Sequence, residues 1–284
     1  MIEAAKIAEQ SVNIPDPAED GRICELCGGR TFSILHAWES GNRWNPTAMP
    51  IAMWKCTCGF TFLHPVPTSD QLPDKGDWWS DQRKVFTRKR RLKAIWNDIR
   101  ARVFCSPKKR FLWYIRKVVR SGRFLDAGFG KGEMLTLASR FYECVGIDPS
   151  PTAVERAKKA GLHVIQGTLE NAELEENSFD VVLLDSVIEH VASPAAVLRK
   201  AYHVLRDRGV VVIVTPKLNG PTHRLHGAEW NGFRHGYHTF LFTAKTLGLL
   251  MRETGFRVLH WPRRNRILDD ILILWGRKVA DPKD

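Results

Sequence analysis

Phe124-Leu125-Asp126-Ala127-Gly128-Phe129-Gly130-Lys131-Gly132 is the stretch whose reading decides the fold. An apolar run enters it, three glycines at alternate positions turn the chain, and Glu133-Met134-Leu135-Thr136-Leu137 leaves with helical spacing. The pattern predicts a strand, a tight turn and a helix start. Glycine suits such a turn because it tolerates φ > 0 and lets a ligand reach the backbone with no Cβ in the way. The helix start then offers unpaired N–H groups to a polar or anionic ligand.

Outward from this turn the chain alternates between two periods. Apolar stretches at 124–127, 143–147, 162–166, 179–184 and 210–214 read as strands, and helical spacing recurs near 132–141, 150–160 and 194–206. Pro149-Ser150-Pro151 caps one helix and Ser193-Pro194 another. This alternation predicts an α/β, doubly wound, mostly parallel sheet covered on both faces, with ligands at the strand C-terminal ends. Further on, 215–242 reads as a long polar segment holding His223, His226, His235 and His238, followed by a helix over 243–254 opened by Thr243 and a strand over 256–261. Ile271-Leu272-Ile273-Leu274-Trp275 fits a final strand or a buried helical turn.

Upstream, the 284-residue chain carries a net charge of +12, concentrated in one place. Residues 83–123 hold sixteen Lys or Arg against a single acid, Asp98, leaving 27 basic and 30 acidic residues elsewhere. Leu92, Ile95, Trp96, Ile99 and Val103 mark an amphipathic helix over 83–104, and Pro107 opens a second with Phe111, Leu112, Ile115, Val118 and Val119 as its apolar stripe. Such a segment is either a pair of packed helices with solvated basic faces or a surface for phosphate-rich partners, such as RNA, anionic lipid or a nucleotide-linked sugar. Trp78 and Trp79, just before it, either pack against the next domain or line an acceptor pocket.

Four of six cysteines fall early, as Cys24-Glu25-Leu26-Cys27-Gly28-Gly29 and Cys56-Thr57-Cys58-Gly59. No run of about 18 apolar residues suggests a transmembrane helix, and Glu3 and Glu9 interrupt any signal-peptide core, so the expected location is cytoplasmic. There, two close cysteine pairs suggest metal before disulfides. The expected ligands are Cys24, Cys27, Cys56 and Cys58 on a structural zinc, with His36 or His64 as replacements because the second pair is one residue short of the usual spacing. The expected organisation is a tail over 1–21, a zinc-ribbon-like module over 22–68, a basic helical linker over 69–122 and an α/β domain over 123–284.

Glycine turns of this kind serve several phosphate and nucleotide ligands. Two acids narrow the choice: Asp126, two positions before the first glycine, and Asp148, which ends Val145-Gly146-Ile147-Asp148 where an acid can accept both hydroxyls of a ribose. The spacing G-x-G-x-G with these acids resembles the class I S-adenosylmethionine (SAM)-dependent methyltransferases. The resemblance implies a seven-stranded sheet whose last strand is antiparallel. It implies that Gly128, Gly130 and Gly132 approach the methionine and ribose portions of SAM, that Asp126 meets the methionine amine, and that Asp148, followed by Pro149, holds the ribose. Thr168 and Leu169 would border the adenine, with Thr168 where the family often has Asp. Leu184-Asp185-Ser186-Val187-Ile188-Glu189-His190-Val191 resembles the "EHV" segment of ubiquinone-type small-molecule methyltransferases, which puts Asp185 and Ser186 at the methionine end. It lacks the Asn/Asp-Pro-Pro-aromatic motif of enzymes that methylate nucleobase amines.

Leu225 to Gly232 and Tyr237 to Thr243 resemble an acceptor-side segment of bacterial members that also carry an N-terminal zinc module. On that resemblance His238 is the first choice for a general base, followed by His235 and His190; the alternatives are that His238 closes the loop and that His190 bonds to backbone at a helix start. The expected function is methyl transfer to a small molecule or glycan precursor, at a hydroxyl or else at carbon or nitrogen. The second expectation is an RNA methyltransferase that grips phosphate with the module and basic helices, and the third a non-catalytic zinc-dependent binding protein.

Overall fold

A computed structural model describes residues 14–41, 49–67, 107–236, 238–259 and 270–279. The 83–104 helix, Trp78, Trp79 and the first thirteen residues lie outside the described residues, as does the Tyr237 position.

Among the described residues the first elements are β1 (Phe32–Trp38), β2 (Ile51–Cys56) and β3 (Thr61–His64), an antiparallel set in which Phe32 faces Cys56 and Ala52 faces His64. Both faces of β2 and β3 are almost wholly buried, because the strands are sandwiched rather than laid on one core. α1 (Pro107–Val118) starts at its proline and turns Leu112 and Ile115 inward, as the stripe predicts. There follow β4 (Arg123–Ala127), α2 (Glu133–Ala138), β5 (Glu143–Asp148), α3 (Pro151–Lys159), β6 (Val164–Gln166), β7 (Phe179–Asp185), α4 (Pro194–Val204) and β8 (Leu205–Pro216). α5 (Pro221–His226), two 3-10 turns (Gly227–Glu229, Asn231–Gly236), β9 (Phe240–Leu241), α6 (Ala244–Glu253), β10 (Phe256–Leu259) and β11 (Ile271–Lys278) complete it.

Seven strands form one sheet in the order β10-β11-β8-β7-β4-β5-β6. β4 to β8 run parallel, while β11 is antiparallel to both β8 and β10. Alternation along the strands splits the core in two. Leu125, Val182, Leu184, Val211 and Ile213 face α4 and α6, and Phe124, Val181, Leu183, Val210 and Val212 face α1 and α2. The fold is therefore a doubly wound, mostly parallel α/β sheet, and Ile271 onward is the antiparallel seventh strand.

The strand read over 162–166 begins only at Val164, and two further boundaries and one segment differ from the sequence reading. The helix expected over 132–141 ends at Ala138, where the next residues leave the helix and Ser139 turns its hydroxyl back onto the Thr136 carbonyl. The fifth parallel strand begins at Leu205, interrupted by left-handed Arg208 before its apolar run at 210. The 215–242 segment is not a polar loop: Trp230 and Phe233 are 4% exposed and share a cluster with Trp38, Met53 and Leu63 of the first sheet. Its β9 adds a fourth strand to that sheet, pairing Phe240 with Phe62 and Leu241 with Thr61. Among the described residues, no helix is long and apolar enough to cross a membrane.

Candidate functional site

The C-terminal halves of β4, β5 and β7 carry Asp126, Asp148 and Asp185. Sheet order reverses between β4 and β7, which opens a crevice there. The glycine turn fills the start of that crevice. Gly128, Gly130 and Gly132 have φ of 73°, 53° and 71°. A Cβ on Gly128 would lie 2.5 Å from Val187 Cγ2, whereas one on Gly130 would meet nothing within 4 Å. The first glycine is thus required by packing, and the second stands before open space.

The turn is pinned from outside itself. Gly128 N–H donates to the Ile147 carbonyl (2.7 Å) and Gly130 N–H to Asp148 Oδ2 (2.8 Å). Asp148 Oδ1 accepts from Ser150 N–H (2.9 Å), while Arg156 donates to the Gly130 carbonyl (3.1 Å). Each Asp148 oxygen keeps a second lone pair for a ligand hydroxyl. Gly167 N–H donates to the Asp148 carbonyl (3.1 Å), which sets Thr168 and buried Leu169 beside β5, with Pro149 on the other side of that acid.

Asp126 is 2% exposed and its Oδ2 has no hydrogen-bond partner. Burial, then the nearby Asp185, push its carboxyl up to about 8, against an opposing pull from Lys108. Burial also raises Asp185, and Lys108 again opposes it. Two desolvated acids with one orphaned oxygen fit a cationic ligand group, the chemistry that an amine next to a sulfonium presents. Ser186, at the end of β7, has a φ of 60° that side chains avoid, and its hydroxyl donates to Asp185 Oδ1 (3.4 Å). Sequence reasoning missed Lys108. It stands in the first turn of α1, pairs with Glu133 (2.8 Å), and with Lys109 and Lys131 lines a cavity of about 580 Å³. No motif marks it; only the packing of α1 near β4 brings it here.

A second cluster forms between the turn at 189–191 and the residues just before β9. One carboxylate oxygen of Glu189 and one ring nitrogen each of His190 and His238 lie within 4.8 Å of one another. The two rings are 4.7 Å apart, edge to face. His238 Nδ1 is 2.6 Å from the Gly232 carbonyl. A carbonyl only accepts, so Nδ1 carries the hydrogen, and the lone pair of the neutral ring is on Nε2. Glu189 is 1% exposed; burial pushes it up to about 7, although Thr215 donates to its Oε2 (2.9 Å). Glu189 is the second residue that sequence reasoning missed, although it sits inside the EHV segment: it lies in a buried turn between β7 and α4, and an acid between apolar Ile188 and Val191 was the available signal. The His235 side chain lies outside the described ones.

The four early cysteines come together, with all four Sγ atoms within 4.8 Å of one another. Cys24 and Cys58 are 3.6 Å apart and Cys27 and Cys56 3.5 Å. These separations are far beyond a disulfide and near the ~3.8 Å edge of a tetrahedron with 2.3 Å zinc–sulfur bonds. Gly28 and Gly59, both left-handed, close the two turns, each donating its N–H to a cysteine carbonyl. Burial raises the Cys24 and Cys58 thiols; it also acts on Cys56, but hydrogen bonds from the Cys58 backbone and the neighbouring thiols bring that one down to about 7. The donor set fits a divalent thiophilic ion. Neither histidine offered as a replacement ligand belongs to it: His64 bonds to Asp20 (2.8 Å), and His36 packs on His223 and Phe233.

Comparison with known proteins bears on the family and the fold. The profile of a family described as "Methyltransferase domain" matches residues 89–261. A ubiquinone biosynthesis O-methyltransferase of Azorhizobium caulinodans is 37% identical over 100 residues, 33% of this chain and 40% of the relative. An uncharacterised protein of Methanocaldococcus jannaschii is 28% identical over 143 residues, 50% of this chain and 68% of that one. The chain therefore aligns with less than half of the ubiquinone-pathway relative. In structure, a SAM-dependent methyltransferase from Archaeoglobus fulgidus superposes with a TM-score of 0.51 at 20% identity, over 60% of this chain and 92% of that one. With the profile spanning more than half its length, the chain belongs to the methyltransferase domain family.

Proposed function

We propose that this protein binds SAM in the crevice at β4, β5 and β7 and transfers its methyl group to a hydroxyl of a small-molecule or glycan-precursor acceptor. The observation that carries the reading is Asp126: a buried carboxylate with an unpartnered oxygen at the switch point of the sheet, beside a glycine that stands before open space. SAM supplies an electrophilic methyl group on a sulfonium. The chain's own residues bind and orient. Asp126 takes the amine, Asp148 the ribose hydroxyls, and Lys108 the carboxylate end, while Gly130 leaves the backbone open to approach. Thr168 and Leu169 border the adenine; Asp185 and Ser186 shape the methionine end.

On the acceptor side, His238 Nε2 takes the hydroxyl proton, with His190 beside it and Glu189 as the neighbouring acid. The name of the ubiquinone-pathway relative supports a small-molecule hydroxyl as the acceptor. Cys24, Cys27, Cys56 and Cys58 hold a structural zinc in a module over 22–68, which a linker over 69–122 joins to the SAM-binding domain.

Calorimetric titration of SAM into wild type, Asp126→Asn and Asp148→Ala tests the reading. Binding in the micromolar range to wild type that weakens at least tenfold in both variants, about 1.4 kcal/mol or more, is the expected outcome. Folded wild type that takes up no SAM would overturn it.

A further inference from the structure

We infer that Thr239 is a positioning residue that ties the cysteine module to the histidine pair, so that the module forms one wall of the acceptor site. The inference rests on the proposed role of His238 and His190. Its ground is the number of attachments that this one residue makes. Thr239 N–H donates to the Glu189 carbonyl (2.7 Å). Its hydroxyl is shared between the carbonyls of Glu189 (3.1 Å) and Val191 (2.9 Å). Its own carbonyl accepts from Leu63 N–H on β3 (2.8 Å). The donors therefore hold the loop that presents Glu189 and His190, and the acceptor holds the module sheet. His238 is the next residue back along the chain, and its ring lies 4.7 Å from that of His190.

The module side of this seam is equally well defined. β3 leaves the second cysteine turn directly. Cys56 N–H donates to the Phe60 carbonyl (2.8 Å), and the Phe60 ring packs on Phe240 and Phe242 at 5.6 and 6.0 Å. Phe240 and Leu241 then pair with Phe62 and Thr61. From the first cysteine turn, Glu25 Oε2 accepts from the Ser193 hydroxyl (2.9 Å) and from Ala195 N–H (3.3 Å) at the start of α4. The module thus grips the chain on both sides of the 189–191 loop: at α4 just after it and at β9 across from it. Filling the four-thiol site fixes both cysteine turns, and through them the strand on which the position of His238 depends.

The test uses the full chain and reads histidine rings, which needs no acceptor. Ring signals of His190 and His238, assigned with His190→Gln and His238→Gln, are compared by NMR at one pH in wild type, Thr239→Val and Thr239→Ser. Valine keeps the backbone bonds and the shape but removes the hydroxyl. The expected result is that both ring signals move or broaden in Thr239→Val and return in Thr239→Ser, with SAM affinity unchanged in calorimetry. A folded Thr239→Val whose two ring signals coincide with wild type overturns the inference. Should the valine variant not fold, amide exchange in wild type decides. Stripping metal with a chelator is expected to remove protection at Leu63 and Thr239 while β4 stays protected; unchanged protection at both overturns the inference. A wild type that shows these effects but binds no SAM would remove the methyl-transfer reading and leave the attachment standing.

Discussion

The crevice at β4, β5 and β7 and the wall around His238 are built by opposite means. The crevice is local in sequence. Its glycine turn, Asp126 and Asp148 lie within 23 residues, and the bonds that shape it run from one strand end to the next, as from Gly130 N–H to Asp148. The wall is assembled from three distant pieces: β3 at 61–64, the loop at 189–191 and β9 at 240–241. A cofactor shared by a whole family can be met by a short fixed motif. An acceptor that differs between members is met by a surface whose parts are added around that motif. The two regions should then fail independently, and that separation can be tested.

The largest expected effect is on the wall alone. Cys24→Ser, or chelation of wild type, should abolish stoichiometric zinc measured by elemental analysis. It should also lower the melting midpoint by roughly 10 °C, since several kcal/mol of metal-linked folding energy is lost. SAM affinity measured on the protein that remains folded should change far less. A variant that loses zinc and SAM binding together breaks the separation.

The next effect belongs to the crevice and distinguishes its glycines. Gly128→Ala adds a strained φ and a Cβ 2.5 Å from Val187, so it should cost about 2–3 kcal/mol in a denaturant melt. Gly130→Ala carries the backbone strain but meets nothing, so about 1 kcal/mol is expected. Loss of SAM affinity in Gly130→Ala beyond that of an unrelated variant of equal stability would locate the ligand in front of it.

A pH effect follows from Asp126. Its carboxyl titrates near 8 in the folded protein, against about 4 unfolded, so folding takes up a proton between those values. The associated stability is complete below about pH 4 and is lost as pH rises through 8. Glu189, raised to about 7, adds to the same slope. Wild-type melting midpoints should therefore fall from pH 5 to pH 8, and Asp126→Asn should flatten part of that fall while weakening SAM binding. An identical slope in the variant would assign the effect elsewhere.

The smallest effect is at Ser186. Replacing it by glycine relieves a left-handed serine, so Ser186→Gly should raise stability by up to ~1 kcal/mol. A simultaneous loss of SAM affinity would tie the Ser186 hydroxyl to the ligand.

The same contrast explains what could be read from the sequence. The strands of the doubly wound sheet are legible because each is a short apolar run between turn signals, whereas the final strand is legible only through the resemblance, since Ile271 to Trp275 also fits a buried helical turn. Asp148 stands out because it ends an apolar run, and Asp126 because it interrupts one two positions before the first glycine. The pairing of β9 with β3 was not legible. Two residues, Phe240 and Leu241, carry no strand period, and the polar letters of 215–242 hide Trp230 and Phe233, which are buried only because the first sheet covers them. Lys108 reads as one basic residue among sixteen until α1 is packed. Glu189 carries little signal of its own beside His190, because nothing in the letters shows that the turn at 187–190 buries it.

β9 also bears on how the chain is made. During synthesis, β3 emerges before β4 to β8, and the residues that complete its sheet, Phe240 and Leu241, leave the ribosome only after them. Until then β3 presents a bare edge of N–H and C=O groups that bears Phe62 and follows Phe60, the kind of edge that pairs with other chains. Between the synthesis of β3 and that of β9 the nascent protein therefore carries an aggregation-prone strand. A fragment ending before residue 240 keeps that edge permanently, so it should be far less soluble than the full chain.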